Sequence, residues 1–229
     1  MGSTLNDSDK AILRGKIITG AKKYKNKLIG KVFGIYCEDE KLYELRFFGK
    51  DFKHLTGIQN AMDAIKFFER ACTGTLTTGN IKTSQKYSRN TLMDKASRIE
   101  EIDKIVYENA DKSLFLVDLH TNTADFPYAI KNDTMNACIG FVSATNNART
   151  LRTSSKNLDY KDEKKIIAIF ARSDQFSKYS EQTYLSDKSL VAKNIELLKL
   201  LDDGLKQNFI DEMVSESPAA DEVAATKIE

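Results

Sequence analysis

The chain has few of the residues from which compact metal or disulfide sites are built. It contains two histidines and three cysteines, and Cys37, Cys72 and Cys138 show no CxxC spacing. An odd number of widely spaced cysteines is typical of reduced thiols in a reducing compartment, not of a disulfide framework or a zinc knuckle. We therefore expect no metal site and no disulfide.

Long apolar runs are absent, and tryptophan and proline are absent or rare. No stretch approaches about 18 consecutive apolar residues, so we expect no membrane span and no membrane partner. The first ten residues, MGSTLNDSDK, contain no apolar signal core, so we expect a cytoplasmic protein. Tryptophan is absent, and proline occurs only at Pro127 and Pro218. The hydrophobic share of 41% is nevertheless enough for a folded core.

Motifs for nucleotide and hydrolase chemistry are also missing. The chain contains no GxxxxGKS or GxxxxGKT loop, no GxGxxG, no HExxH and no GxSxG. ATP use, dinucleotide binding, zinc hydrolysis and serine-hydrolase chemistry are therefore without support, and we expect no cofactor.

The net charge of +2 hides an uneven distribution. Residues 207–229 hold six acidic residues and one basic residue, so the rest of the chain carries a balance of +7. A basic body with an acidic, alanine-rich tail is compatible with a polyanionic partner. The alternative is an ordinary solvated surface with a frayed end.

The hydrophobic pattern divides the chain into a short flexible start, one domain and a tail. We expect residues 1–9 to be flexible, residues 10–205 to form the domain, and residues 206–229 to form an acidic tail that is partly disordered. The patterns run in the order helix, two strands, two helices, about five strands, helix. Segregated blocks of this kind favour an α+β fold in which helices pack on an antiparallel β-sheet. Residues 49–58 are interpreted as a compact loop with helix-start residues, and residues 146–160 as a polar stretch.

The densest group of chemically capable residues follows the second predicted strand. His54 stands there among Lys50, Lys53 and Thr56. A histidine can exchange a proton near neutral pH, and neighbouring lysines attract a phosphate and lower the imidazole pKa. The structural alternative is that His54 caps or packs at a helix start. For His120, at the end of a strand pattern, we expect only a side chain beside a turn.

Two further segments combine cations with hydroxyl groups. Residues 164–188 contain a strand pattern, and polar side chains that can bind and polarise a phosphate follow it: Arg172, Lys178, Thr183 and Tyr184. The alternative is a strand with ordinary threonine and tyrosine enrichment. The polar stretch offers three more cations, Arg149, Arg152 and Lys156, for which a solvated loop is the simpler interpretation.

Four phrases in order along the chain carry a resemblance to a known family. They are RFFGKDFKHLTG at 46–57, FFERACTGTLT at 67–77, NACIGF at 136–141, and IIAIFARS followed by YSEQTY at 166–184. The order and spacing agree over residues 10–190. In these respects the chain resembles the phage-associated Barnase–EndoU–Colicin–RelE-like (BECR) nucleases, and the fourth phage branch in particular.

The resemblance implies a metal-independent ribonuclease in which the RNA 2′-hydroxyl attacks the adjacent phosphate. It implies that His54 acts as acid or base, that Arg46 or Lys50 offers charge, and that Thr183 and Tyr184 orient the phosphate. The remaining cations and Thr56 would contact the substrate; these residues are Lys53, Thr56, Arg152, Lys156, Arg172 and Lys178. Because both segments adjoin strand patterns whose ends can meet in an antiparallel sheet, we expect His54 to face Thr183 and Tyr184 across a shallow cleft.

The chain departs from the family in one loop. Relatives carry a PNTLLK-like phrase where this chain has ARTLRT at 148–153, which keeps Thr150 and Leu151 but loses the proline and the lysine. Either Arg152 replaces the lost charge or the activity is altered. The leading hypothesis is an endoribonuclease of phage or mobile-element origin that acts as a toxin on RNA in a bacterial cytoplasm and has a neutralising or host protein partner. The alternative is a non-catalytic module that binds RNA or a host protein, such as an inhibitor of a host defence system.

Overall fold

The computed structural model describes residues 5–82, 87–122, 124–142, 145–154 and 158–215, with side chains described through residue 210. The helices are α1 (Asp7–Lys27), α2 (Gly49–Thr56), α3 (Ala64–Thr73), α4 (Arg89–Glu100), α5 (Lys188–Lys193), α6 (Ile195–Leu200) and α7 (Asp203–Ser215). The strands are β1 (Lys31–Cys37), β2 (Leu42–Arg46), β3 (Ser113–Thr121), β4 (Ala124–Asn132), β5 (Ala137–Phe141), β6 (Ala148–Arg152), β7 (Asp159–Ser173) and β8 (Glu181–Leu185). Within these ranges no helix is long and apolar enough to cross a membrane.

The strands form one curled antiparallel sheet. Its order is β2-β1-β7-β3-β4-β5-β6, and β8 also pairs with β7. The long strand β7 pairs with β3 through its first half and with β1 through its second half. The curl brings the two edge strands together, because the Arg46 amide at the end of β2 donates to the Asn146 carbonyl just before β6, at 2.8 Å. The predicted α+β fold with helices on an antiparallel sheet is confirmed.

Helices cover both faces of the sheet around β1 and β7. Ile169 and Ala171 face a large core shared with α1 to α4, whereas Ala168 and Phe170 face a second core under α5 to α7. Burial on both faces explains why the IIAIFA segment is apolar without alternation. In α1 the buried positions recur at helical spacing, and Gly20 allows contact with α4, since a Cβ there would lie 2.5 Å from Ile99.

Both ends of the predicted domain need correction. Helix α1 begins at Asp7 because Asn6 and Asp9 form a reciprocal capping box, and Asp9 is buried and accepts from Arg89 at 2.6 and 2.8 Å. Helical structure therefore begins within the stretch that was predicted to be flexible. At the other end, α7 runs to Ser215 and Phe209 is completely buried, so the predicted tail boundary at 206 falls inside a docked helix. Residues 216–229 lie outside the described residues.

Two segments that were predicted to be irregular are regular elements. The predicted loop at 49–58 contains α2, whose Phe52 and Leu55 are fully buried and which ends at Gly57 with φ 76°. The predicted polar stretch at 146–160 contains β6 and the start of β7. Helix α4 ends at Glu100, and a 3-10 helix follows over Ile102–Ile105.

Candidate active site

A cleft of about 700 Å³ opens beside α2, and we call it the His54 cleft. Residues of α2, of the loop that follows it, of the start of α3 and of β6 line it. Its charged or titratable lining residues are Lys50, Lys53, His54, Lys82 and Arg149. Among the described residues no carboxylate lines this cleft, so its electrostatic potential favours an anion.

The position of His54 follows from the packing of α2. Because Phe52 and Leu55 turn inward to the large core, His54 between them turns outward and remains exposed. The helix starts three residues after β2, and the left-handed Gly57 ends it three residues after His54. The short connection from β2 and the turn at Gly57 thus fix the position of this histidine at the cleft.

A buried carboxylate holds Arg149 at the same cleft. Asp51, in the first turn of α2, is only 1% exposed. Its Oδ1 accepts a hydrogen bond from Arg149 Nη1 at 3.2 Å, and its Oδ2 accepts from the side-chain amide of Asn147. The Arg149 side chain remains 49% exposed. The guanidinium is therefore fixed by one face and still accessible to a ligand.

The surroundings of His54 favour its neutral form. Partial burial lowers the pKa of His54, the positive charges of Arg149 and Lys95 lower it further, and Asp51 opposes them. A pKa below the usual value near 6.5 leaves the imidazole unprotonated at neutral pH. In that form a ring nitrogen can accept a proton.

Lys95 is a buried cation that the sequence analysis did not identify. It lies on α4, its side chain packs beside Gly57, and its ammonium donates to the Leu151 carbonyl of β6. Burial, together with the charges of Arg152 and Arg98, lowers the pKa of Lys95 to about 8. Lys95 lies on the buried face of α4 together with Leu92, Ala96 and Ile99. A lysine at an otherwise apolar face of a predicted helix is the sequence feature that could have identified it.

Of the three residues predicted around His54, the structure brings two, Lys50 and Lys53, to its cleft. Lys50 is exposed, with its ammonium 5.4 Å from the centre of the Phe48 ring. Lys53 donates to the Asn60 carbonyl at 2.8 Å and also to the Met62 carbonyl, so it braces the loop beyond α2 while lining the cleft.

Thr56, for which the resemblance implied a substrate contact, does not line the His54 cleft. Thr56 is buried, and its hydroxyl donates to the Lys53 carbonyl at 2.7 Å and accepts from the Ile58 amide at 3.2 Å. It stabilises the end of α2.

Thr183 and Tyr184 are not placed at the His54 cleft, which corrects the predicted pairing with His54. The Thr183 hydroxyl donates to the Val106 carbonyl at 2.6 Å, and Tyr184 packs against the large core. The reason is topological, because β8 pairs with β7 whereas α2 packs against β6 and the helices α3 and α4. Neither side chain belongs to the cleft lining.

Arg46 and Arg172 belong to a different cluster, so their predicted roles at a shared site are also corrected. Arg46 of β2 and Arg172 of β7 flank Val32 of the central strand β1 in the register of the sheet. Their side chains therefore share one face of the sheet. Arg172 Nη2 donates to Glu44 Oε1 at 3.0 Å, and Arg46 Nη2 lies 3.8 Å from Glu44 Oε2. Glu44 compensates part of their charge there.

The remaining predicted cations have separate positions. Lys178 is exposed in the connection between β7 and β8 and does not line the cleft. Arg152 lies on β6 in a neighbouring pocket. Lys156 lies outside the described residues. His120 pairs with Asp125 at 3.0 Å, which raises its pKa.

Within the ranges that the structure describes, no group of three or more His, Cys, Asp and Glu side chains is arranged to hold a metal ion.

Comparison with curated proteins and with solved structures finds no match. A family model described as phage-Barnase-EndoU-ColicinE5/D-RelE like nuclease 4 matches residues 16–188, a range that includes all eight described strands, His54 and Arg149. The four phrases therefore predicted the family correctly, and the chain belongs to this phage-Barnase-EndoU-ColicinE5/D-RelE like nuclease family.

Proposed function

We propose that the chain is an endoribonuclease that cuts RNA without a metal ion. The observation that carries the proposal is a histidine with a lowered pKa at the edge of a cleft whose other charged residues are all cations. A neutral imidazole beside an anchored arginine is suited to proton transfer from a hydroxyl next to a phosphate. Membership of a nuclease-like family supports the same conclusion.

In the proposed reaction, the 2′-hydroxyl oxygen of the RNA attacks the adjacent phosphorus as an unprotonated ring nitrogen of His54 takes its proton. A bond forms between phosphorus and the 2′-oxygen, and the bond between phosphorus and the 5′-oxygen of the next nucleotide breaks. The leaving 5′-oxygen takes a proton from water, and the exposed His54 imidazolium returns its proton to the hydroxide that remains, which restores the neutral imidazole. The products are a 2′,3′-cyclic phosphate and a 5′-hydroxyl.

The cations of the cleft have two proposed roles. Arg149, held by Asp51, donates to the non-bridging phosphate oxygens as negative charge develops on them. Lys50, Lys53 and Lys82 attract and position the RNA backbone. Of the two charge donors that the family resemblance implied, the geometry favours Lys50 over Arg46, whose guanidinium faces Glu44.

The test is cleavage of a defined RNA by the purified protein in the presence of EDTA. We expect His54→Ala to lower the rate on the order of 100-fold or more, because a positioned general base contributes about that much. His120→Ala is the matched control, since it removes the only other histidine at an exposed site.

Two further measurements separate this mechanism from its rivals. A 2′-deoxy nucleotide at the cleavage position should abolish the cut, and the upstream product should carry a cyclic phosphate. Loss of activity in EDTA, or equal rates for His54→Ala and the parent protein, would contradict the mechanism. RNA binding without cleavage would favour the non-catalytic alternative.

We also propose that the protein comes from a phage or mobile element and acts as a toxin on RNA in a bacterial cell. The phage nuclease family supports this origin. Expression in bacteria should arrest growth, and the His54→Ala variant should not. Arrest by both proteins would indicate a target other than cleaved RNA, such as a host protein.

A further inference from the structure

A second cationic pocket, of about 340 Å³, lies between α4 and β6, and we call it the α4–β6 pocket. Its lining differs from that of the His54 cleft in containing buried cations. The side chains that define it are Tyr87, Thr91, Lys95, Arg98, Arg152 and Thr153.

The pocket carries more positive charge than its carboxylates compensate. Lys95 and Arg98 are 7% and 8% exposed, and each is anchored to a backbone carbonyl, at Leu151 and Asn136 respectively. The only carboxylate that lines the pocket is Asp94, whose Oδ2 lies 3.9 Å from Arg98 Nη2. Three cations therefore share one carboxylate, among the residues that the structure describes.

Such an arrangement is unfavourable for stability. Burying a cation without a carboxylate costs free energy that one hydrogen bond to a carbonyl offsets only in part. The lowered pKa of Lys95 has this origin, because burial and the neighbouring Arg152 and Arg98 all oppose its charge. An anionic ligand in the pocket would relieve the repulsion, and a phosphate offers several oxygens to donors on different elements.

The α4–β6 pocket adjoins the His54 cleft. Arg149 of β6 lines the cleft, and the next four residues of the chain, Thr150 to Thr153, line the pocket. Lys95 packs beside Gly57, three residues after His54. A nucleic-acid strand that follows β6 would therefore meet both sites in turn.

We propose that the α4–β6 pocket binds a backbone phosphate of the RNA strand next to the phosphate that occupies the His54 cleft. This inference rests on the proposed function, because it assigns RNA as the ligand of the cleft. It adds Lys95, Arg98 and Arg152 to the substrate-binding residues and implies that a substrate with two phosphates binds better than one with a single phosphate.

The test uses uncleavable 2′-O-methyl oligonucleotides with one, two or three phosphates, whose dissociation constants are measured by NMR titration. In the parent protein we expect the second phosphate to raise affinity about tenfold or more, the scale of a hydrogen-bonded charge contact. Arg152→Gln should remove most of that step, and Arg152→Lys should restore part of it. Arg70→Gln, on α3 and outside both sites, is the matched control for the loss of one arginine.

Each outcome decides between the two proposals. If the second phosphate raises affinity by the same factor in Arg152→Gln and Arg70→Gln, the assignment of the pocket is overturned. Inorganic pyrophosphate is the second probe. If its binding depends on Arg152 while the gain in oligonucleotide affinity from the second phosphate does not, the assignment is overturned in favour of a small free phosphate ligand. Unmodified RNA of the same lengths tests the proposed function separately: an Arg152-dependent step without cleavage would leave the pocket in place and overturn the nuclease mechanism.

Discussion

The buried charge of Lys95 should make the stability of this protein depend on pH in a way that one substitution removes. The pKa of Lys95 is about 8 in the folded protein, against about 10.4 for an exposed lysine. Between these two values the unfolded chain binds more protons than the folded chain. The free energy of unfolding therefore rises with pH across this window.

The size of the effect follows from the shift. A difference of about 2.5 pKa units, at about 1.4 kcal/mol per unit, corresponds to roughly 3 kcal/mol. This cost is fully present below pH 8 and disappears above the pKa of the unfolded lysine. Between pH 7 and pH 10 we expect the parent protein to regain about 2 kcal/mol relative to Lys95→Met, which cannot titrate at this position.

Urea unfolding followed by circular dichroism at pH 7, 8, 9 and 10 measures this difference. Comparing the two proteins at each pH cancels the titration of the other lysines and of the tyrosines, which they share. Lys66→Met, at an exposed position of α3, reports what the loss of one positive charge does by itself. A difference between parent and Lys95→Met that stays constant from pH 7 to pH 10 would refute the buried-cation interpretation.

Three other substitutions or conditions test the site and the fold. Arg149→Gln should raise the pKa of His54, because it removes a positive charge that lowers it; NMR titration of the two histidines measures this, and an unchanged value would place Arg149 away from His54. Phe209→Ala should cost about 3–5 kcal/mol in urea unfolding, because Phe209 is fully buried against Phe170, and a negligible loss would show that α7 is not docked. RNA binding by His54→Ala should weaken steeply as salt rises, since lysines and Arg149 release counterions, whereas flat binding would indicate a protein partner.

Periodicity in the sequence predicted the elements that bury one clear apolar stripe or a continuous run. Helix α1 shows Leu13, Ile17, Ala21 and Tyr24 at helical spacing, and all four are buried. The β7 segment is apolar on both faces and was recognised as a strand. These elements could be predicted because their own residues form the apolar pattern, which does not depend on contacts with distant parts of the chain.

Elements that depend on distant partners could not be predicted in the same way. In β6 only Ala148 and Leu151 are buried, three residues apart, because a register shift beside Phe141 interrupts the alternation. Helix α2 has only eight residues, from Gly49 to Thr56, and they offer too little periodicity to distinguish a helix from a loop. Both short elements are held in place by packing against neighbours far away in sequence.

The candidate site was predicted in part for the same reason. His54, Lys50 and Lys53 are neighbours in sequence, so one phrase revealed them together. Arg149 was recognised as a cation in a polar stretch but not as a partner of α2, since 98 positions separate it from Asp51. The predicted pairing of His54 with Thr183 failed because strand ends were assumed to meet, whereas β8 pairs with β7 and α2 packs against β6.

Asp51 links the closure of the sheet to the formation of the cleft. The edge strands β2 and β6 meet where the Arg46 amide bonds to the Asn146 carbonyl, and α2 begins three residues after Arg46. The buried Asp51 carboxylate on α2 then accepts from Asn147 and Arg149, the residues on either side of the start of β6. The residues that hold the two edge strands together are thus immediate neighbours of those that fix the arginine at the cleft. Arg149 therefore joins His54, Lys50 and Lys53 through contacts that span 96 and 98 positions of the chain, which is why a sequence pattern reveals the phrase around His54 but not its arginine.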